Sequence, residues 1–423
     1  FSKEVFKSKA VGILSTIFFL FNSSLSYIYF FKKYPLSKET INQLITNADF
    51  LSFAPYGDGI VSAFWNLNIY TNQRHLALSF ALSLIAIYLI IKPIIGKKSL
   101  NMMWHIALGI LLGLSFFLHT AVFLMTCLIL FALAIFFSKT RKNALLLLAF
   151  AGIIALPQYL YLKGSEGYSP HFVFGYLTSG SLTFLKFTEF WIYNLGLSIV
   201  LIPLGFLLSN RTQKKILLSF FTLFIIGNTI QFSPEIAANH KFFNYFIIVG
   251  NMFSAFILVK LWNRNAIFKP ITVLLLFFTI LGGIIDFFPI YNDNKLQLAD
   301  YKINKDIAWI KNNTPQDSIF LNTTYLYNPA SLAGRKIFLG WPYFAWSQGY
   351  DTMNRDTLRK NLLAGGDKSY FCTQVKKYNI NYVSIENGEI DFVINKDFFN
   401  QNFGKVYENK SSGFIIYSTK SGC

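Results

Sequence analysis

The chain has 423 residues, of which 53% are hydrophobic and only 14% are charged, and its mean hydropathy is +0.43. A soluble globular domain carries about 25% charged residues, so the composition excludes an ordinary soluble enzyme. The net charge of +18 lies mostly in short clusters between apolar runs, whereas a nucleic-acid-binding protein gathers basic residues on one soluble face; nucleic acid is therefore not an expected partner.

In chain order, apolar runs predict a membrane domain over residues 1–291, with nine spans at 10–31, 76–95, 102–118, 120–138, 144–162, 191–208, 216–230, 244–262 and 270–290. The third and fourth runs could instead form a re-entrant pair that meets at His119. The first run is too long for a signal-peptide core, and no cleavage site follows it. Because the chain begins with Phe1 rather than Met, we expect it to be a fragment that lacks its N-terminal part.

The basic residues of the loops predict an orientation. The loops at 1–9, 92–100, 139–143, 209–215 and 260–269 together hold 15 Lys and Arg in 40 residues, and those at 32–75, 163–190 and 231–243 hold 7 in 85. Short cytoplasmic loops retain positive charge. The chain is therefore expected to be a multi-pass protein of the plasma (inner) membrane, with the second set of loops on the extracytoplasmic side. Trp65 and Trp191 are expected in the outer interfacial belt, and Trp104 and Trp262 in the inner one.

The tail, residues 292–423, alternates short strands with helices, which predicts a small extracytoplasmic α/β domain. The expected strands are Ser318–Leu321, Lys336–Leu339, Tyr382–Ile385, Lys405–Tyr407 and Phe414–Tyr417. Residues Asp306–Asn312 are expected to be the end of a helix. Further helices are expected at Pro329–Ala333, Arg355–Leu363, Tyr370–Tyr378 and Phe398–Phe403. Cys372 and Cys423 could pair or remain free, since pairing depends on geometry. No cofactor is evident, although a divalent metal is compatible with the sequence.

The distribution of ionisable residues narrows the class of membrane protein. The predicted spans hold almost none, and Asp286 lies near the outer end of the last span. Ion-coupled pumps usually carry such groups at mid-depth, which argues against that class. Four of the five histidines (His75, His119, His171 and His240) fall on the predicted outer side.

Several outer residues are candidates for binding a charged lipid. Arg74 and His75 could hold a phosphate or pyrophosphate, because Arg offers a bidentate fork; the alternative is interfacial snorkelling and capping. The loop before the eighth span places Glu235 beside His240 and Lys241, either as a polar rim for a lipid head or as a solvated turn. His119, where two short spans meet, is either part of such a site or a satisfied buried histidine.

Carboxylates and aromatic rings supply the other candidates. Asp49, Asp58 and Glu235 are candidate catalytic groups, since a carboxylate can serve as a base or a metal ligand; Asp49 and Asp58 also suit ordinary turns. In the tail, Arg335 precedes a strand and Trp341 follows it. Rings on such a loop could stack on a sugar or pack the tail against the membrane domain.

The chain resembles uncharacterised multi-spanning proteins related to the type C glycosyltransferases, the superfamily of the protein mannosyltransferases. The resemblance covers most of the chain and rests on Asn72–His75, Gly109 and Gly113 with His119, Trp191 with Asn194–Leu197, Asn239–Phe243, Trp309–Pro315, Leu332–Arg335 and Gly340–Pro342. It implies transfer of a sugar from a polyprenyl-phosphate carrier to an acceptor on the outer face. The superfamily's catalytic carboxylate lies in a first outer loop, which would precede this fragment. The chain departs from the superfamily because residues 1–291 contain no paired acidic motif.

The sequence therefore predicts a glycosyltransferase-like protein of the cell envelope whose partners are the lipid bilayer, a lipid-linked sugar donor and an unidentified acceptor. The residues expected to bind substrate are Arg74, His75, His119, His240, Lys241, Arg335 and Trp341. The alternative is a non-catalytic membrane protein, either a lipid-carrier flippase or a cell-envelope assembly factor whose outer domain binds a partner.

Overall fold

A computed structural model of the chain describes residues 1–50, 61–162, 168–178, 180–293, 303–386 and 392–423. The chain divides into two compact units, which are described separately. Unit 1 comprises Phe1–Lys163 and Ser169–Asp293, and unit 2 comprises Gly164–Tyr168 and Asn294–Cys423.

Unit 1 is almost entirely helical. Its helices are α1 (Ser2–Phe6), α2 (Lys9–Phe21), α3 (Tyr27–Lys33), α4 (Thr40–Ile45), α5 (Leu67–Asn72), α6 (Arg74–Ile91), α7 (Met102–Leu118), α8 (Thr120–Phe136), α9 (Ser138–Leu162), α10 (Phe184–Leu195), α11 (Ser198–Leu208), α12 (Arg211–Thr229), α13 (His240–Trp262) and α14 (Phe268–Tyr291). Two 3-10 turns, Ser62–Phe64 and Ile236–Asn239, and a short antiparallel pair, β1 (His171–Phe172) with β2 (Ile230–Gln231), complete it.

The lengths of these helices do not confirm nine membrane spans. Among the described residues, four helical stretches are long and apolar enough to cross a membrane, namely Arg74–Ile91, Ser138–Leu162, Ile236–Trp262 and Phe268–Tyr291. The bent pair α10 and α11 raises the number to five if it counts as one span, and α2, α7 and α8 are apolar but shorter. Unit 1 is thus a helical membrane-type body with fewer full-length spans than the hydropathy pattern predicts.

The predicted span at 10–31 is wrong as a continuous helix. Helix α2 ends at Phe21, and α3 begins only at Tyr27. The intervening Asn22 is buried, and its side-chain oxygen accepts a hydrogen bond from Asn251 Nδ2 at 2.9 Å. In the same break, Ser23 Oγ donates to the Ser24 carbonyl oxygen at 2.6 Å, and Ser24 Oγ accepts from the Ser26 N–H at 3.2 Å. Such short side chains offer the backbone an alternative to helical hydrogen bonds, in keeping with the end of the helix here.

The predicted span at 191–208 is likewise wrong as one straight helix, because α10 and α11 meet at an angle of 88°. Gly196 lies at this bend with φ of +53°, in the left-handed region that favours glycine. A Cβ atom at this position would lie 2.7 Å from the carbonyl oxygen of Ser23. The two helix breaks therefore pack against each other through a close backbone approach.

The two sets of loops distinguished by charge meet at separate places in unit 1. In the basic set, Lys97 pairs with Glu4, Lys139 donates to the Pro93 carbonyl oxygen at 2.9 Å, and Gln213 donates to the Val5 carbonyl oxygen at 3.1 Å. In the other set, β1 pairs with β2 across the 163–190 and 231–243 loops. This arrangement supports the assignment of the two sets of loops to opposite ends of unit 1. Only the positive charge of the loops indicates which end is cytoplasmic.

The expected outer belt of tryptophans is wrong. Trp65 and Trp191 are each only 2% exposed, and the Trp191 indole donates to Asn228 Oδ1 at 3.2 Å. Both rings pack inside unit 1 beside Phe243. Trp104 and Trp262, at the other end, are exposed. Buried polar partners for the indole N–H groups explain why the outer pair lies inside.

Unit 2 contains a five-stranded mixed sheet of order β4-β3-β5-β7-β6. Its elements are α15 (Lys305–Asn313), β3 (Ile319–Asn322), α16 (Pro329–Leu332), β4 (Lys336–Ile337), α17 (Pro342–Trp346), α18 (Met353–Ala364), α19 (Lys368–Tyr378), β5 (Ile380–Ile385), α20 (Lys396–Asn402), β6 (Gly404–Asn409) and β7 (Phe414–Ser418). Strands β3, β4 and β5 are parallel, and β7 runs antiparallel to β5 and β6. The predicted small α/β layer is confirmed.

Both faces of this sheet are covered. Leu321 and Val383 pack under α18 and α19 with Leu362 and Phe371, and the other face buries Phe320 with Ile310 of α15. Cys372 of α19 forms a disulfide with Cys423. The bridge attaches the end of the chain to a core helix.

Candidate functional site

The candidate site of unit 1 is organised around the buried segment Val61–Asn66. Val61 and Ala63 are fully buried, and Trp65 and Asn66 are 2% and 1% exposed. A non-helical backbone inside an apolar helical body needs partners for its N–H and C=O groups. Amide side chains of α10 and α13 supply two of them.

Asn194 of α10 holds the beginning of this segment. Its Oδ1 atom accepts hydrogen bonds from the Val61 backbone N–H at 2.9 Å and from the Trp65 indole at 3.0 Å. Its Nδ2 atom donates to the Phe190 carbonyl oxygen at 2.8 Å. Because the side chain is fully buried, one residue on α10 fixes two groups that water does not reach.

Asp286 of α14 holds the other end. The Asn66 amide donates to its Oδ2 atom at 2.7 Å, and the carboxyl group is 4% exposed. An ionisable side chain inside a membrane-type helix is costly and often marks a functional region. Asp286 therefore belongs to the site, where it anchors the buried segment.

The histidine cluster is defined as His75, His119, His240 and Lys241. His240 and Lys241 begin α13, His75 lies in α6, and His119 lies between α7 and α8. The rings of His75 and His119 stack with their centroids 5.1 Å apart. The half-buried Lys241 lies within electrostatic range of both His119 and His240. Four of the residues predicted to bind substrate are therefore brought together.

His240 connects the histidine cluster to the buried segment. Its Nδ1 atom is 2.7 Å from Asn244 Oδ1, and its ring packs on Phe64 with centroids 4.5 Å apart. The Asn244 amide in turn donates to the Phe64 carbonyl oxygen. His240 is thus the satisfied buried member of the cluster, oriented by α13 and the segment.

His119 is the member left open. It lies in extended backbone between α7 and α8, and its Nε2 atom is buried without a hydrogen-bond partner in the described part of the chain. A buried polar nitrogen without a partner is rare. When it carries the ring proton, this atom can donate a hydrogen bond to an anionic oxygen of a ligand beside Lys241 and His75.

Helix α9 determines where His119 lies. Gly113 of α7 lets α9 approach closely, because a Cβ there would be 2.8 Å from the Ala151 carbonyl oxygen. Gln158 of α9 then accepts from the Phe117 N–H at 3.2 Å and donates to the Gly113 carbonyl oxygen at 3.0 Å. These are the two groups that an α-helix joins directly, so Gln158 fastens α9 to the last turn of α7, just before His119.

The other predicted residues of unit 1 lie outside the cluster or outside the described residues. Arg74, the first residue of α6, is exposed beside His75. Asp49 is exposed, with its carboxylate 3.8 Å from the Lys33 ammonium group. Glu235 accepts from the Ala237 N–H at 3.2 Å and so caps a 3-10 turn. Asp58 lies outside the described residues.

In unit 2, Arg335 makes a structural connection. Its guanidinium donates to the carbonyl oxygens of Lys311 at 2.9 Å and of Thr314 at 2.8 Å. These bonds tie the end of α15 to the turn before β4. Trp341 is 43% exposed, with its ring near Tyr325, so it remains accessible to a ligand.

The sequence reasoning did not single out Asn244 or Asn66 for the site. Asn244 lies four residues after His240 on a helix, and this spacing places both on one face. Asn66 gave no comparable signal, because its partner Asp286 is 220 residues away along the chain. Among the described residues, no group of three His, Cys, Asp or Glu is placed to hold a metal ion.

Comparisons with known proteins find similarity among solved structures. No protein-family model matches the chain, and no curated protein sequence matches it. The crystal structure of an Archaeoglobus fulgidus oligosaccharyltransferase, tethered through a disulfide to an acceptor peptide containing the NVT sequon, aligns with 80% of this chain at 14% identity and a TM-score of 0.42. The alignment covers 56% of that protein, so this chain spans little more than half its length. This level of similarity carries no functional assignment.

Proposed function

We propose that the chain is a membrane glycosyltransferase-like protein that moves a sugar from a polyprenyl-phosphate donor to an acceptor on the outer face. The observation that carries the proposal is the histidine cluster. Its unpartnered His119 nitrogen lies beside His75 and Lys241, at the ends of apolar helices. A lipid phosphate places its negative charge at that kind of boundary.

The donor phosphate binds through Lys241 and the His119 N–H, with Arg74 available at the exposed rim. Charge-assisted hydrogen bonds to phosphate are roughly twice as strong as neutral ones. They also stabilise the charge that develops on the leaving phosphate. Hydrogen-bond donors contribute most to catalysis when they are directed at charge that develops in the transition state.

The reaction is a displacement at the anomeric carbon. The acceptor hydroxyl oxygen forms the new bond to that carbon as the bond from the carbon to the carrier phosphate breaks, and the phosphate leaves with the electron pair. A carboxylate takes the hydroxyl proton. Asp49, Asp58 and Glu235 are the proposed candidates for this base.

Two observations support an outer location for the site. The loops joined near the histidine cluster are poor in Lys and Arg, and the opposite set is rich in them. Unit 2, which follows the last outward helix in the predicted topology, contains the Cys372–Cys423 disulfide. Disulfides persist in oxidising compartments and are rare in the cytosol.

The test is transfer of a radiolabelled sugar from polyprenyl-phosphate donors by the full chain reconstituted in liposomes. Lys241→Met removes the ammonium group and is expected to lower the transfer rate by roughly tenfold to a hundredfold. Lys260→Met is the matched control, because Lys260 lies near the other end of the same helix, α13. Its rate is expected to stay within about twofold of the unmodified chain.

Unchanged transfer by Lys241→Met and by His119→Gln would remove the phosphate-binding role of the cluster. Binding of polyprenyl phosphate without any transfer would contradict the enzymatic proposal and favour the non-catalytic carrier-binding alternative.

A further inference from the structure

The sheet of unit 2 has a topological switch point, and its residues are not part of the transfer site proposed for unit 1. From β3 the chain continues to β4 on one side, and from β5 it continues towards β6 and β7 on the other side. The neighbouring parallel strands β3 and β5 thus have outgoing connections that diverge. In open α/β sheets, ligands bind beyond the carboxyl ends of such strands.

A polar cluster occupies this position. The Glu386 backbone N–H, just after β5, donates to Thr323 Oγ1 at 3.1 Å. The Glu386 carboxylate accepts from Thr324 Oγ1 and from the amide of Asn328, which is fully buried. Glu386 as a whole residue is half-buried. Two acceptor oxygens are therefore held in fixed positions at the surface of the edge.

A buried arginine supports the cluster from below. Arg359 of α18 is 1% exposed and donates to the carbonyl oxygens of Asn322 at 3.0 Å and of Thr323 at 2.6 Å. Its charge is balanced by Asp356, 3.0 Å away. Its guanidinium also lies 4.3 Å from the centre of the Tyr325 ring. Because Arg359 is fully engaged, it shapes the edge and does not itself present a positive charge to a ligand.

Exposed aromatic rings concentrate at the same edge. Among the described residues of unit 2, seven aromatic side chains are exposed, and six of them lie on the segments that follow β3 and β4: Tyr327, Trp341, Tyr343, Phe344, Trp346 and Tyr350. The seventh is Tyr370. The Trp341 ring lies 6.0 Å from the Tyr325 ring, centroid to centroid, which joins the rings to the polar cluster.

The lack of charge on the segments after β3 and β4 indicates which class of ligand they could bind. Residues 323–328 and 340–350 contain no charged side chain, and Glu386 adds a carboxyl group. A surface for anionic lipids or phosphates needs Lys and Arg, which these segments lack. A neutral sugar fits, because its C–H faces stack on aromatic rings while its hydroxyls bond to carboxylate and amide groups.

We propose that the carboxyl edge of β3, β4 and β5 in unit 2 is a binding site for a neutral saccharide, with Trp341 stacking on a sugar ring and Glu386 accepting hydrogen bonds from its hydroxyls. This proposed site is separate from the transfer reaction proposed for unit 1 and does not depend on it. Binding is therefore expected to persist in Lys241→Met.

The test is saturation-transfer-difference NMR on the full chain in nanodiscs, with maltotriose, chitotriose and mannotriose as probes. The unmodified chain is expected to bind at least one of the three. Trp341→Ala is expected to weaken that binding about tenfold, by loss of ring stacking, and Glu386→Gln several-fold. Tyr370→Ala removes an exposed ring elsewhere in unit 2 and is expected to bind like the unmodified chain.

Absence of saturation transfer to all three trisaccharides would overturn the proposal, as would equal binding by Trp341→Ala and the unmodified chain. Quenching of tryptophan fluorescence by brominated lipids that disappears in Trp341→Ala would instead assign the rings to the membrane surface. That result would also overturn the saccharide proposal. Amide hydrogen exchange of β3 and β5 verifies that each variant retains the sheet, and Glu386→Gln tests the polar half of the site separately.

Discussion

The interior of unit 1 is stabilised by neutral polar side chains, whereas unit 2 buries a full positive charge. Among the described residues of unit 1, the buried polar groups are amides, hydroxyls, two histidines and two carboxylates, without any Lys or Arg. In unit 2, Arg359 is buried with its counter-charge at Asp356. The difference follows from the surroundings, because a lipid-facing body has no water at its edge to solvate a misplaced charge.

This comparison teaches which groups of unit 1 are exceptional. Asn194 and Asn244 satisfy backbone groups of a non-helical segment at the cost of desolvating an amide. A buried ion costs several kcal/mol more. Asp286 and the half-buried Lys241 break that pattern. Asp286 accepts a hydrogen bond from the non-helical segment, and Lys241 lies in the first turn of α13.

The largest expected effect comes from the buried charge of unit 2. Arg359→Leu leaves two carbonyl oxygens without this donor and takes one of its charged partners from Asp356, and we expect the free energy of unfolding of unit 2 to fall by about 3 kcal/mol. Lys360→Leu is the matched control, since Lys360 contacts the same Asp356 at 3.1 Å but its side chain is 36% exposed, against 1% for Arg359. Its expected cost is below about 1 kcal/mol.

Denaturant titration of the full chain, followed by hydrogen exchange in β3 and β5, measures both costs. Equal destabilisation by Arg359→Leu and Lys360→Leu would show that the burial of the guanidinium contributes nothing, and the contrast between the two units would lose its basis.

A smaller effect is expected from the amides of unit 1. Asn194→Leu keeps the shape of the side chain but leaves the Val61 N–H and the Trp65 indole N–H without an acceptor. We expect a loss of about 2 kcal/mol, seen as a lower unfolding midpoint of the full chain in detergent. Asn143→Leu changes a half-buried residue of the same unit whose amide makes a solvent-exposed hydrogen bond to Ser99, and it is expected to change stability by less than about 0.5 kcal/mol. Indistinguishable midpoints for the two variants would contradict the role given to Asn194.

The elements of unit 2 could be predicted more closely than those of unit 1. The strand pattern at β5 and β7 and the turn before β3 are local signals, and the structure keeps them within a few residues of the prediction. In unit 1 the apolar run at 10–31 gives no sign that Asn22 meets Asn251, 229 positions away. Hydropathy measures composition within a window, whereas a helix break depends on partners far along the chain.

The candidate site was predictable in its members and not in its geometry. His75, His119, His240 and Lys241 share a predicted side, and the alternating topology brings them together. That His119 is open while His240 is satisfied depends on Asn244 and on the position of α9, which the sequence does not specify. The roles of Trp65 and Trp191 were predicted wrongly, because a tryptophan near a helix end suits an interface and a polar core equally.

The smallest expected effect is a pH dependence of unit 2. Burial raises the pKa of Glu386 from its ordinary value of 4.5 to about 7. The folded chain then binds a proton that the unfolded chain has already lost between these values. The contribution of Glu386 to stability is therefore fully present below pH 4.5 and is lost as the pH rises through 7. Between pH 6 and pH 8 the expected loss is about 1 kcal/mol. Glu386→Gln should abolish this slope, while Glu408→Gln, at an exposed ion pair, should retain it. Hydrogen exchange in β5 across this pH range measures the difference, and equal slopes in all three chains would show that the Glu386 carboxyl group titrates as a solvated group.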